Sequence, residues 1–131
     1  MVSRTPDSCQ PAAALLRQAR AVLHDAAATT DPGERFRRAQ LSALRTAAAA
    51  LAMHARQPAG RRRLVSLWVR LDKALPEYAS WAAYFAAAAP VRAAVEVGIG
   101  AAVSPRVADE QLRAAGEFLA VVEGSLGTLA A

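Results

Sequence analysis

Few side chains in this sequence titrate near neutral pH: His24, His54 and Cys9. A histidine can both take and give a proton there, so either could serve as an acid or a base. Arg17, Arg20 and His24 lie off the apolar face of the first helical stretch. Cys9 has no histidine or acid at a local spacing that would activate it, and it reads as an incidental thiol. None of the spacings that hold zinc occurs, neither CxxC nor HExxH, so no metal and no cofactor is expected. Asp109, Glu110, Glu117 and Glu123 succeed one another along a helical stretch and read as a solvated acidic face rather than a paired-carboxylate site.

The arginines are the stronger signal. Fifteen Arg and one Lys against eleven acids leave a net charge of +5. The excess is uneven, because residues 1–63 hold eleven Arg and four acids. Arg38, Arg45 and Arg56 fall within about 20° of one another on a helical wheel. Arg61, Arg62 and Arg63 come next, in a Pro/Gly break. Arginine's fixed fork of donors matches phosphate, so these six form a candidate nucleic-acid-binding surface. An acidic partner is expected, either a phosphate backbone or an acidic protein. The contrary reading is that arginine is simply this chain's solvating residue, since no aromatic residue interleaves with the basic run to stack bases.

The elements that must carry these residues are helical throughout. Leu15, Leu16, Ala19, Val22, Leu23 and Ala26 make one face of a helix expected from about Pro11 to Ala28. Asp31-Pro32-Gly33-Glu34 opens a second helix in capping-box spacing, with Phe36, Gln40, Ala43, Leu44, Ala47 and Leu51 within an arc of about 100°. Leu64, Leu67, Trp68 and Leu71 mark a short third helix ending near Leu75. Pro76 should open a fourth, which Pro90 ends or kinks, and Gly98-Ile99-Gly100 should close any further turns beyond that proline. Ser104-Pro105 starts the last, striped by Val107, Leu112, Ala115, Leu119, Val122 and Leu126. The expected fold is an all-α, single-domain antiparallel bundle of about five helices, spanning residues 10–131 behind a flexible N-terminus, 1–9. No apolar h-region succeeds Met1, no apolar run reaches a membrane span, and a lone cysteine fits a reducing, cytoplasmic setting.

Thirty-five of the 131 residues are alanine. Alanine lets helix axes approach closely but buries little area per residue. Trp81 and Phe85 should therefore hold the fourth helix to its neighbours, and Gly116 should mark a close approach. Gln40 should be buried and hydrogen-bonded. Tight internal packing would make up the deficit, or else a face covered by a second copy, which would give a homodimer.

With its helices placed in this way, the chain resembles a known family. Arg35-Phe36-Arg37-Arg38-Ala39-Gln40-Leu41-Ser42-Ala43-Leu44-Arg45 is similar to the second helix of HEPN domains. Ala43 to Ala50, Pro76 to Ala87 (PEYASWAAYFAA) and Glu117 to Glu123 are similar to a small actinobacterial HEPN family. Catalytic HEPN proteins are metal-independent RNases that use an arginine and a histidine four to six residues apart near the start of a late helix, usually paired across a dimer. The matching stretch here is Arg106-Val107-Ala108-Asp109-Glu110-Gln111, with Gln111 where the histidine would stand. The resemblance thus implies a noncatalytic binding or regulatory module, linked to RNA processing or DNA repair. The alternatives are an RNase assembled from Arg106, Arg17, His24 and His54, and a structural protein-interaction bundle.

Overall fold

The computed structural model describes residues 4–54, 66–99 and 103–130, with side chains described from residue 10 to residue 128 of these. Five α-helices succeed one another: α1 (Arg4–Ala28), α2 (Pro32–His54), α3 (Leu67–Ala74), α4 (Ala79–Glu96) and α5 (Pro105–Ala130). A 3-10 turn, Pro76–Tyr78, leads into α4. No strand occurs among the described residues. Helix α2 is the centre of the bundle and touches each of the other four; α1 and α5 also pack together, as do α3 and α4.

Helix starts obey the caps in the sequence. Asp31 Oδ2 accepts from the Glu34 amide at 2.9 Å, Ser66 Oγ from the Trp68 amide at 3.2 Å, and Ser104 Oγ from the Val107 amide at 3.1 Å. Each satisfies a first-turn N–H that has no intrahelical partner. At the end of α4, Gly98 takes φ +93°. Gly98 N–H bonds the Val95 carbonyl and Ile99 N–H the Ala94 carbonyl, the paired bonds of a Schellman ending.

The turns beyond Pro90 are part of α4, which runs on to Glu96; a proline removes one N–H, and the alanines around it favour helix strongly. Three local expectations change. Helix α1 begins at Arg4 rather than Pro11, so Pro6 occupies the first turn and Pro11 lies inside. Glu34 does not complete the capping box, because its carboxylate turns to Arg37 and Arg38. The early phase of α5 is shifted by one residue. Val107 is 45% exposed while Ala108 and Gln111 are buried.

The core shows why α2 holds so much alanine. Phe36, Ala43, Ala47 and Leu51 are buried on one side, and Ala39, Ser42, Thr46, Ala49 and Met53 on another. Together they cover an arc of about 200° rather than 100°. The second side receives α1, whose Ala12, Ala19 and Ala26 are fully buried at heptad spacing. Ser42 Oγ donates across to the Ala19 carbonyl at 2.8 Å, a contact that only closely approaching helices allow.

Gly116, by contrast, marks no tight approach. A Cβ there would meet Leu23 Cδ2 at 3.6 Å, ordinary van der Waals contact. Gly116→Ala should therefore raise stability by roughly 0.5–1 kcal/mol, the helix-propensity difference. Urea unfolding would show a loss instead if the helices had to separate to admit the methyl.

Glu34 supplies a pH-dependent contribution. Arg37 Nη2 donates to its carboxylate at 2.6 Å and Arg38 Nε at 2.8 Å. These bonds, Arg37's first, hold its pKa at about 2. The folded value lies below the unfolded one, so the stabilisation is present above the ordinary carboxylate range and is lost as pH falls towards 2. Glu34→Gln should cost under about 1 kcal/mol at pH 7, since both pairs are at the surface. The difference should shrink below the ordinary carboxylate range and disappear only as pH falls through about 2, in urea titrations of the two proteins.

Candidate functional site

The residues with catalytic potential do not converge. Arg17, His24, His54 and Arg106 are all exposed. Arg17 lines a shallow cleft between α1 and α5 with Leu16, Arg20, Glu123 and Leu126. His54 lines another, with Glu77, Tyr78, Ser125 and Thr128. Both clefts sit at the far end of α5 from Arg106. At 1.5 Å per residue, Arg106 lies about 25–30 Å from either within one protomer. Helix α1 runs antiparallel to α5, with Arg20 paired to Glu123, and carries His24 midway between these ends. Folding of one chain leaves Arg106 remote from Arg17 and His54.

The proposed basic surface is only partly described. Arg56, Arg61, Arg62 and Arg63 lie outside the described residues. Arg38 is engaged by Glu34 and by Thr29 Oγ1 at 3.3 Å. Arg45 is half-buried and, among the described residues, forms no ion pair. Much of the remaining arginine is locally neutralised. Arg20 pairs with Glu123, Arg35 with Asp109, Arg92 with Glu96, and Arg113 with both Glu110 and Glu117. Among the described residues no group of three or more His, Cys, Asp or Glu side chains could hold a metal ion.

The arrangement that most distinguishes the interior is polar. Gln40 is fully buried in the middle of α2. Its Nε2 donates to the Phe85 carbonyl at 3.0 Å and to Gln111 Oε1 at 3.1 Å. Gln111, itself buried on α5, donates through Nε2 to the Tyr84 hydroxyl at 3.2 Å. One chain of amides thus joins α2, α5 and α4. Around it six aromatic rings pack together. Trp68 stacks on Phe85 at 5.3 Å, and Trp81 stacks on Phe118 at 5.3 Å. Tyr78 meets Phe118 edge-on at 5.9 Å. These rings and amides join α4 to α5, and further along Ala88, Val91 and Val95 of α4 pack against the cluster of Phe36, Val103 and Ala108.

The chain of amides surfaces at Tyr84, on the rim of a cleft between α4 and α5. The cleft has a volume of about 220 Å³ and is lined by Ser80, Trp81, Tyr84, Glu110, Arg113, Ala114 and Glu117. Burial, and then the nearby Glu110 charge, raise the Tyr84 pKa, so its phenol stays protonated at neutral pH. Arg113 is held strongly cationic by hydrogen bonds to Glu110 first and Glu117 second.

Sequence reasoning placed Gln40 correctly and missed its partners. Gln111 sits four residues before Ala115 and eleven before Val122, so the core face of α5 passes through it. Tracing that spacing backwards from Val122 finds it. Reading Val107 as the start of the stripe hides it.

An all-α antiparallel bundle with α2 at its centre, and a late helix whose start carries arginine, is the fold of a HEPN domain. The chain belongs to the SAV_6107-like HEPN family, whose family model matches residues 26–123. No curated protein and no solved structure matches it.

Proposed function

We propose that this protein is a noncatalytic HEPN-type binding or regulatory module, homodimeric and cytoplasmic, serving RNA processing or DNA repair through its arginine face. The observation that carries this reading is the environment of Gln111. The position where a HEPN nuclease would need its acid–base group holds an amide that bonds Gln40 and Tyr84 in the interior. An amide has no proton to exchange near neutral pH. A histidine in its place would meet Gln40 rather than a phosphate. Arg45 adds a cation that no described carboxylate offsets.

The test is binding and cleavage of single-stranded RNA in the presence of a chelator. The protein should bind with an affinity that falls steeply with salt and should leave the RNA intact. Arg45→Glu together with Arg62→Glu should weaken binding and reduce the slope of log affinity against log salt, by about 0.7 for each lost phosphate contact. Cleavage of the RNA would establish a nuclease in place of this reading. Failure to bind at low salt would turn the arginine face over to an acidic protein or to solvent.

A further inference from the structure

We propose that the cleft between α4 and α5 is a recognition site for the guanidinium of an arginine side chain presented by a partner protein. This site is separate from the arginine face and does not depend on RNA binding.

Three features converge on that ligand. The first is size. At about 220 Å³ the cleft falls below the roughly 300–1,000 Å³ of sites that enclose whole small molecules, and suits one long side chain. The second is its walls. Of the seven aromatic residues, five are buried; the two with substantial exposed surface, Trp81 and Tyr84, both line this cleft. The third is charge. Glu110 and Glu117 place two carboxylates against the one guanidinium of Arg113, which leaves the cleft with a net charge of −1. Aromatic rings in the lining and excess carboxylate both favour a cation.

A guanidinium suits these walls better than an ammonium. It is planar, stacks on a ring face, and presents paired donors to a carboxylate, and it is the more weakly hydrated of the two. The cleft is also held in shape. The Tyr84 hydroxyl accepts from Gln111, which is in turn bonded by the fully buried Gln40. A ring at the surface is thereby oriented through two interior side chains. The Tyr84 hydroxyl accepts that bond and keeps its own proton to donate, which suits a backbone carbonyl of the partner segment. Glu110 and Glu117 are exposed and reach Arg113 by flexible stems, so a guest guanidinium can share them without unfolding anything.

The experiment is a titration of the full chain with N-acetyl-arginine methylamide, its lysine counterpart and its neutral citrulline counterpart, read by the two indole N–H resonances in NMR. The arginine probe should move the Trp81 resonance saturably and leave the buried Trp68 unmoved. Affinity should be at least fivefold weaker for the lysine probe and at least tenfold weaker for citrulline. Glu110→Gln with Glu117→Gln, both surface changes, should weaken arginine binding at least fivefold while the spectrum stays folded. Tyr84→Phe, which keeps the ring and removes its tether, should weaken it two- to threefold. Equal response to citrulline would overturn the proposal, as would an unmoved Trp81. Shifts of the Trp81 resonance on dilution without any probe would assign the cleft to a second copy of the chain and overturn it too.

Discussion

Phe118→Ala should lower the unfolding free energy by about 3–5 kcal/mol, the usual loss for truncating a buried aromatic ring. Phe118 is fully buried on α5. Its ring lies 5.3 Å from Trp81, 5.7 Å from Phe85, 5.9 Å from Tyr78 and 6.4 Å from Trp68. The elements these rings belong to are α3, the 3-10 turn and α4, so one side chain ties three short elements to the last helix. A small domain has only about 5–15 kcal/mol in all, so much of its stability rests on this ring. Urea and thermal unfolding monitored by near-ultraviolet circular dichroism would measure the loss. Val121→Ala, on the exposed side of the same helix, should change stability by less than about 0.5 kcal/mol. Similar behaviour of the two variants would show that the aromatic cluster does not hold the bundle together.

Gln40→Leu should cost about 2–4 kcal/mol, although leucine is close in size and more apolar. The change leaves Gln111 Oε1 without its donor and removes the bond to the Phe85 carbonyl, both in the interior. An unsatisfied buried polar group costs roughly 1–3 kcal/mol. Gln111→Leu alone should cost about 1–3 kcal/mol, since it takes the acceptor from a buried Gln40 N–H, while the Tyr84 hydroxyl it also releases is at the surface, where water can replace the bond. The double variant should be more stable than the sum of the single losses predicts, because removing both partners leaves fewer orphaned groups. A double-mutant cycle measures that coupling. Strict additivity would mean that the two amides do not depend on each other.

Fold class and helix order were legible without tertiary information. Apolar residues at three- and four-residue spacing, the Asp31-Pro32 and Ser104-Pro105 starts and the Gly98 stop are local signals, and each helix they announce is present. Such signals survive in sequence because capping and periodicity depend on neighbours a few residues away. The burial of Gln40 could be read for the same reason, since it shares the stripe of Phe36, Ala43 and Ala47.

Three-dimensional packing decided the rest. Alanine, serine and threonine carry little hydrophobic signal, so nothing local announced that Ala39, Ser42 and Thr46 form a second buried side of α2; only the approach of α1 makes them interior. Gln111 became a core residue because Gln40, 71 positions away, supplies its partner. Glu34 is the local exception, leaving the capping box because Arg37 and Arg38 lie within reach three and four residues on along its own helix. The cleft at Trp81 and Tyr84 exists because bulky rings and amides join α4 to α5, an arrangement that belongs to no single segment. Local spacing determines which faces a helix offers, and the distance between helices, set by the side chains that meet, determines which of those faces become core and which become sites.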